Sequence, residues 1–417
     1  MDCKPDGFIG TIMAVEGISD ATVLLHGPDG CRKNLTVLSR HCFPRDAATD
    51  AITPFFKGMS RIPCTGIVSS DYIFGSYRKV MQVLDAIGGM DFELIVVVCS
   101  PGASLIGDDC LKAVKDSGLE NRAIVLDSST MSQPLPDSMD ATMRSILELL
   151  DDRSKETIPD TVNLLGLNIL AKDWQTVVDE FSHILSLMGL EVVSCPSAGS
   201  SVDELRESFS AEYNIILCPE YAEQTSEYYQ AEHGILPISI GFSPVGFDAT
   251  EALIWKISEV TDLPSEKAIK YLDRFRHRAY DKMMSSDTRV DGRTFRIEGD
   301  QCVVYPLTRW LFESMRLVPA SVSLNPTNAG TCEDELLQFL RSNHLEDKFA
   351  AEPPEHVDYS FCDGNTSQIE EAAGYCGRGV DISFPSKLNV DFRPSPVLGP
   401  SGAMYLLDRI VNPFQGL

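Results

Sequence analysis

Short apolar runs bounded by turn residues alternate along this chain with longer stretches whose apolar positions recur at three and four residues. Residues 21–25 (ATVLL) and 94–98 (LIVVV) read as buried strands, and 123–126 as a third. Between the first two, Val80, Val83, Leu84 and Ile87 stand at helical spacing, and Gly88 and Gly89 stop the helix. A further helix is expected from Asp108 through Cys110, Leu111 and Val114. A polar, proline-containing stretch at 128–137, a helix over 139–150 and the charged segment 151–160 mark a boundary. The pattern then restarts, with strands at 161–167, 190–195 and 213–217 and helices over 173–188, 202–209 and onward to Gly234. Helices over 249–260 and 265–284, the latter capped by Ser265, lead to a third series. There a strand ends at Gly299, a helix runs through Leu307, Trp310, Leu311 and Met315, and strands at 320–324 and 357–362 flank a helix over 333–343. A short helix over 404–411 closes the pattern.

Strands alternating with helices of this length predict an α/β fold of three Rossmann-like domains, each a mostly parallel sheet flanked by helices. The divisions fall at 1–150, 157–262 and 263–417, because 417 residues exceed what one core organises. No domain carries G-x-G-x-x-G after a strand, so nothing supports a bound dinucleotide.

The formal net charge of −26 narrows the partners. Nucleic acid and an anionic membrane surface are repelled, and a basic patch on a docking protein is favoured. The longest apolar runs are strand-length, so no membrane span is expected, and the N-terminus shows no signal-peptide pattern. Twelve cysteines without an export signal point to the reducing cytoplasm, with some thiols bound to metal and the rest inert.

Three cysteines hold the strongest candidate positions. Cys3 opens the chain, Cys31 follows strand 21–25 across a Gly-Pro-Asp-Gly turn, and Cys99 ends strand 94–98. Backbone N–H groups past a strand stabilise a thiolate or a sulfide. Gly30 and Gly102 let backbone approach a cluster where side chains would block it. Three thiols are one short of the usual four for an iron–sulfur cluster, so the fourth ligand must come from another subunit or another residue type. Cys42 and Cys64 are expected to be structural, His26 packed rather than ligating, and Asp108 and Asp109 placed by a helix dipole. The basic run Arg274, Arg276, His277, Arg278 and Lys282 reads as a solvated helix face.

Cys3-x-Pro-x-Gly, HGPDGC at 26–31, DYIFGS at 71–76 and CSPGASLIGDD at 99–109 occur in an order that resembles nitrogenase component 1 subunits and their relatives. The resemblance implies that Cys3, Cys31 and Cys99 hold an iron–sulfur cluster, of 4Fe–4S or 8Fe–7S type, at an interface with a homologous component 1 subunit. A homodimer and a heterodimer or heterotetramer both satisfy this. An ATP-dependent iron protein would supply the electrons. Cys218, at the end of strand 213–217, matches the cysteine ligand of the family's active-site metallocofactor and implies a second metallocluster. The family's histidine ligand falls at Leu388, which cannot bind metal. The reading is a nitrogenase-like oxidoreductase of open substrate. A scaffold for nitrogenase-type metallocofactor assembly and a tetrapyrrole-reductase-type subunit are the alternatives.

Overall fold

Three parallel sheets follow one another along the chain in a computed structural model that describes residues 5–43, 55–56, 59–126, 132–151, 153–285, 289–329, 332–388 and 391–412. The first begins with helix α1 (Gly7–Glu16), whose N-cap Asp6 accepts the Ile9 N–H, and then strand β1 (Ala21–His26). Helix α2 (Asp29–Cys42) starts inside the Gly-Pro-Asp-Gly turn, two residues earlier than Cys31, so the cysteine lies in its first turn. Helix α3 (Tyr77–Gly88) and strand β2 (Leu94–Cys99) match the apolar pattern, followed by helix α4 (Cys110–Asp116) and strand β3 (Ala123–Leu126). The sheet order is β1-β2-β3, with His26 beside Cys99 in register. Helix α5 (Leu135–Leu150) begins earlier than its apolar spacing suggests. Pro134 and Pro136 sit at its start, where proline costs no helical hydrogen bond.

The second sheet comprises β4 (Thr161–Leu165), β5 (Glu191–Ser194), β6 (Tyr213–Ile216) and β7 (Leu236–Ile238), in the order β5-β4-β6-β7. Helices α6 (Trp174–Met188) and α7 (Glu223–His233) belong to it, and α8 (Gly246–Thr261) and α9 (Glu266–Met284) lead out of it. The third sheet repeats the arrangement with β8 (Thr294–Gly299), β9 (Val318–Leu324), β10 (Val357–Asp363) and β11 (Cys376–Ser383), ordered β9-β8-β10-β11. Its helices include α10 (Gln301–Glu313), α11 (Gly364–Ala373) and the final α12 (Gly399–Val411). All pairings in the three sheets are parallel.

One large apolar core joins the sheets, taking Val23 and Leu25 from β1, Leu164 from β4, Ile215 from β6, Ile297 from β8 and Phe361 from β10. The opposite face of the first sheet forms a satellite core of Leu24, Ile95, Val97 and Cys99 against Leu84 of α3 and Cys110 of α4. In both four-stranded sheets the first strand lies between the second and third. The chain therefore leaves in opposite directions at the carboxyl ends of β4 and β6, and again at those of β8 and β10. Such switch points open a crevice in which open α/β sheets bind ligands. Among the described residues no helix is long and apolar enough to cross a membrane.

Candidate functional site

The two crevices open into one cavity of about 360 Å³. The second sheet contributes Asn168, Leu170, Lys172, Cys218 and Tyr221, and the third contributes Asp300, Cys302, Asp363, Asn365 and Thr366. Pro5, Leu135 and Pro136 close one side, and Val397 and Leu398 another.

Cys218 lies two residues past the end of β6 and caps a single 3-10 turn. Its backbone presses against the turn after β4. A side chain on Gly166, at φ 83°, would bring its Cβ within 2.1 Å of the Cys218 carbonyl oxygen, so only glycine fits there. Ser243 donates its hydroxyl to Cys218 Sγ at 3.4 Å. Across the cavity, α10 begins with N-cap Asp300, and Cys302 is its second residue. The Cys302 thiol donates to Glu220 Oε1 at 2.9 Å. The other oxygen, Glu220 Oε2, is buried without a hydrogen-bond partner among the described residues.

Burial dominates the electrostatics here. It drives the Glu220 carboxyl up to about 8, with the neighbouring Asp300 charge adding to the shift. Burial likewise raises Asp300, against the hydrogen bonds from Asn325 Nδ2 at 2.8 Å and Tyr221 OH at 2.9 Å. The Cys302 thiol is pushed up by burial and then by contact with Cys218. Lys172 is the cation on the wall. Burial works against its ammonium, but Asp381 and Asp391 outweigh it and hold its pKa above the ordinary lysine value. Its Nζ lies 2.9 Å from Asp381 Oδ2, and Asp381 is fully buried. Lys172 also pairs with Asp391, which anchors the loop before α12.

The thiols of the first domain are arranged differently. Cys31 is half-buried, and burial raises its pKa. Its near neighbour is Cys64, whose Sγ accepts the Gly66 N–H at 3.4 Å and lies 3.2 Å from the Gly27 carbonyl oxygen. Both pack toward the main core. Cys99 belongs to the satellite core on the other face of the sheet, with its Sγ 3.9 Å from Cys110 Sγ. Cys3 lies outside the described residues. Among the described residues, no group of three or more His, Cys, Asp or Glu side chains is placed to hold a metal ion. A cluster at Cys31, like a metal at the cavity, therefore needs ligands beyond these; what the cavity adds is two thiols on one wall, a donor type that suits a soft metal.

Gly30 lies in the first turn of α2 with open space where a side chain would stand, and Gly102 sits against Tyr72, whose hydroxyl a Cβ would approach to 2.8 Å. His26 is buried, with Nδ1 3.1 Å from Thr65 Oγ1 and Nε2 3.3 Å from Asp108 Oδ2. Asp108 accepts the Ser76 and Tyr77 N–H groups at 2.9 and 3.1 Å, so it serves the start of α3 rather than its own helix. Asp109 caps α4 through the Lys112 N–H at 2.9 Å. In the basic run, Arg276 pairs with Asp248, Glu251 and Asp273.

Leu388 lies at the surface. It is 54% exposed and outside the cavity lining, with its N–H bonded to Asn365 Oδ1. Leu398, just before α12, is among the lining residues. The sequence reading also passed over Cys302 and Glu220. The available signal was the Gly299-Asp300 turn at the end of β8, which marks the switch point and so the residues that follow it.

Two facing switch points, with a cysteine near each, define an α/β protein with a cavity between two of its parallel sheets. The comparisons with known proteins carry this to a family: the chain belongs to the nitrogenase component 1 type oxidoreductases, whose model matches residues 7–415. It is 23% identical over 304 residues to the nitrogenase iron-molybdenum cofactor biosynthesis protein NifE of Clostridium pasteurianum, covering 72% of this chain and 61% of that protein. It is 23% identical to the nitrogenase molybdenum-iron protein beta chain of Frankia alni, across 98% of this chain and 81% of the relative. The solved structure of nitrogenase Cp1 at pH 6.5 superposes with a TM-score of 0.76 at 14% identity, covering 98% of this chain and 93% of that one, which shows a shared fold.

Proposed function

We propose that the protein is a component 1 subunit that receives electrons from an ATP-dependent iron protein and delivers them to a molecule held in the cavity at Cys218. The observation that carries the reading is the meeting of two switch points on one cavity with Cys218 on its wall. An iron–sulfur cluster held by thiols of this chain and of a homologous subunit supplies one-electron transfer when bound. Cys3, Cys31 and Cys99 are the thiols proposed for it. Cys31 carries most of that proposal, because its thiol is half-buried near the surface; Cys99 would have to turn from Cys110 to join it.

The residues of the cavity have separable tasks. Cys218 offers a sulfur ligand, and Ser243 steers it through the hydroxyl donated to Sγ. Lys172 and Asp381 hold the loop before α12 against the opening. Glu220, with its pKa near 8, holds a proton close to the cavity at neutral pH. The side chains on Leu170, Val177, Val397 and Leu398 limit water at the site.

The test is strictly anaerobic purification with iron and sulfide quantification and low-temperature EPR on wild type, Cys31→Ala and Cys218→Ala. Loss of one signal with the first variant and of a different one with the second is expected. Iron-free protein from oxygen-free preparations would sink the reading.

A second reading is a scaffold that assembles a metallocofactor and releases it. The leucine-lined wall favours it, because a cargo held without an imidazole on that side is more readily passed on. The similarity to a cofactor biosynthesis protein points the same way. A scaffold transfers its iron to an acceptor protein and turns over little, whereas an enzyme consumes reductant in proportion to product.

A further inference from the structure

We propose that Cys302 is a second thiolate ligand in the cavity, so that a metallocluster or soft metal ion is held by two sulfurs, Cys218 and Cys302, one from each switch point. This rests on the reading of the cavity as a metal site and adds a ligand to it.

Both cysteines line the same cavity, and their thiols are in side-chain contact. They reach it from different sheets, Cys218 after β6 and Cys302 after β8, so the pairing exists only in the folded chain. Cys302 sits in the first turn of a 13-residue helix, where its own N–H is bonded to Glu220 Oε1 at 3.3 Å. Its thiol already points its proton at Glu220 Oε1, 2.9 Å away. Glu220 is 1% exposed, and its second oxygen has no hydrogen-bond partner among the described residues, an arrangement costly to keep without a use. On binding, the Cys302 S–H bond is exchanged for a sulfur–metal bond, and the thiol proton is released to solvent. Two protein thiols suffice for a cluster whose remaining iron valences are met by sulfide or by the cargo itself. Cys332 is a nearby comparison: it is buried, donates to the Gly241 carbonyl at 3.1 Å and does not line the cavity.

The experiment titrates the full-length chain with Co²⁺ under anaerobic conditions and follows the sulfur-to-cobalt charge-transfer absorption. Wild type, Cys218→Ser, Cys302→Ser, the double variant and Cys332→Ser are compared. Cys302→Ala and far-UV circular dichroism confirm that each variant is folded. The part of the band lost in the double variant is the cavity's contribution, which separates it from thiols at Cys31 and Cys64. Each single cavity substitution is expected to remove about half of that part and to weaken Co²⁺ binding at least about tenfold. Cys332→Ser is expected to leave the band intact. If Cys302→Ser keeps the full band while Cys218→Ser removes it, Cys302 is not a ligand, though the cavity still binds metal. If the double variant matches wild type, the cavity takes no metal and the reading of Cys218 falls with it.

Discussion

Cys31 and Cys302 begin from the same local geometry and end in opposite surroundings. Each stands in the first turn of a helix that follows a strand of a parallel sheet. Cys31 is half-buried beside Cys64, and no group of three ligands forms around it among the described residues. Cys302 is closed over by the second sheet and faces Cys218 and Glu220. A strand–turn–helix unit thus presents a thiol wherever the sequence puts one. Whether that thiol is finished by the same chain or waits for a partner depends on what packs above it.

The comparison can be broken most forcefully at Gly166. Gly166→Ala forces a Cβ into the Cys218 carbonyl at a positive φ, and a loss of about 4 kcal/mol or more is expected by urea denaturation. An equally stable variant would mean that the two switch points are less tightly joined than described. Lys172→Ala comes next. It leaves the fully buried Asp381 without its cation, and about 3–5 kcal/mol should be lost, with proteolysis appearing first in the loop before α12.

A smaller effect follows from Glu220. Its folded pKa of about 8 lies above the ordinary carboxyl value, so its contribution to stability is present in full below that ordinary value and fades as pH rises toward 8. The slope from this group is up to ~1.4 kcal/mol per pH unit within that window. Glu220→Gln should flatten it, which chemical denaturation at a series of pH values would read; an unchanged slope would place the titration elsewhere. On the open side the expected changes are slight. Cys31→Ser and Cys64→Ser should shift stability by no more than about 0.5 kcal/mol, while Cys31→Ser lowers the iron content of anaerobic preparations. A large loss of stability in either would show that the surface thiols serve the fold rather than a partner.

Much of the framework was legible from apolar spacing. The strands at 94–99, 161–165 and 213–216 and the helices over 77–88 and 174–188 lie within a few residues of where the pattern puts them. Helix α11 and strand β11 left no such trace. Gly379 in β11 packs so closely on α11 that a Cβ would stand 2.1 Å from the Ser367 carbonyl, and a glycine there removes the β-branched signature of a strand. The exposed polar face of α11 weakens its periodicity in the same way.

By itself the sequence determined the alternation of strand and helix, the family motifs in their order and the position of Cys218 at a strand's end, because each depends on neighbours within a few residues. Only the tertiary structure decided that Leu398 rather than Leu388 lines the cavity, that Cys99 turns to Cys110, and that Cys302 meets Cys218 across 84 residues of chain. Those outcomes depend on which faces of separate sheets come together, and burial of apolar surface drives that association without recording in any short segment which side chains it will bring into contact.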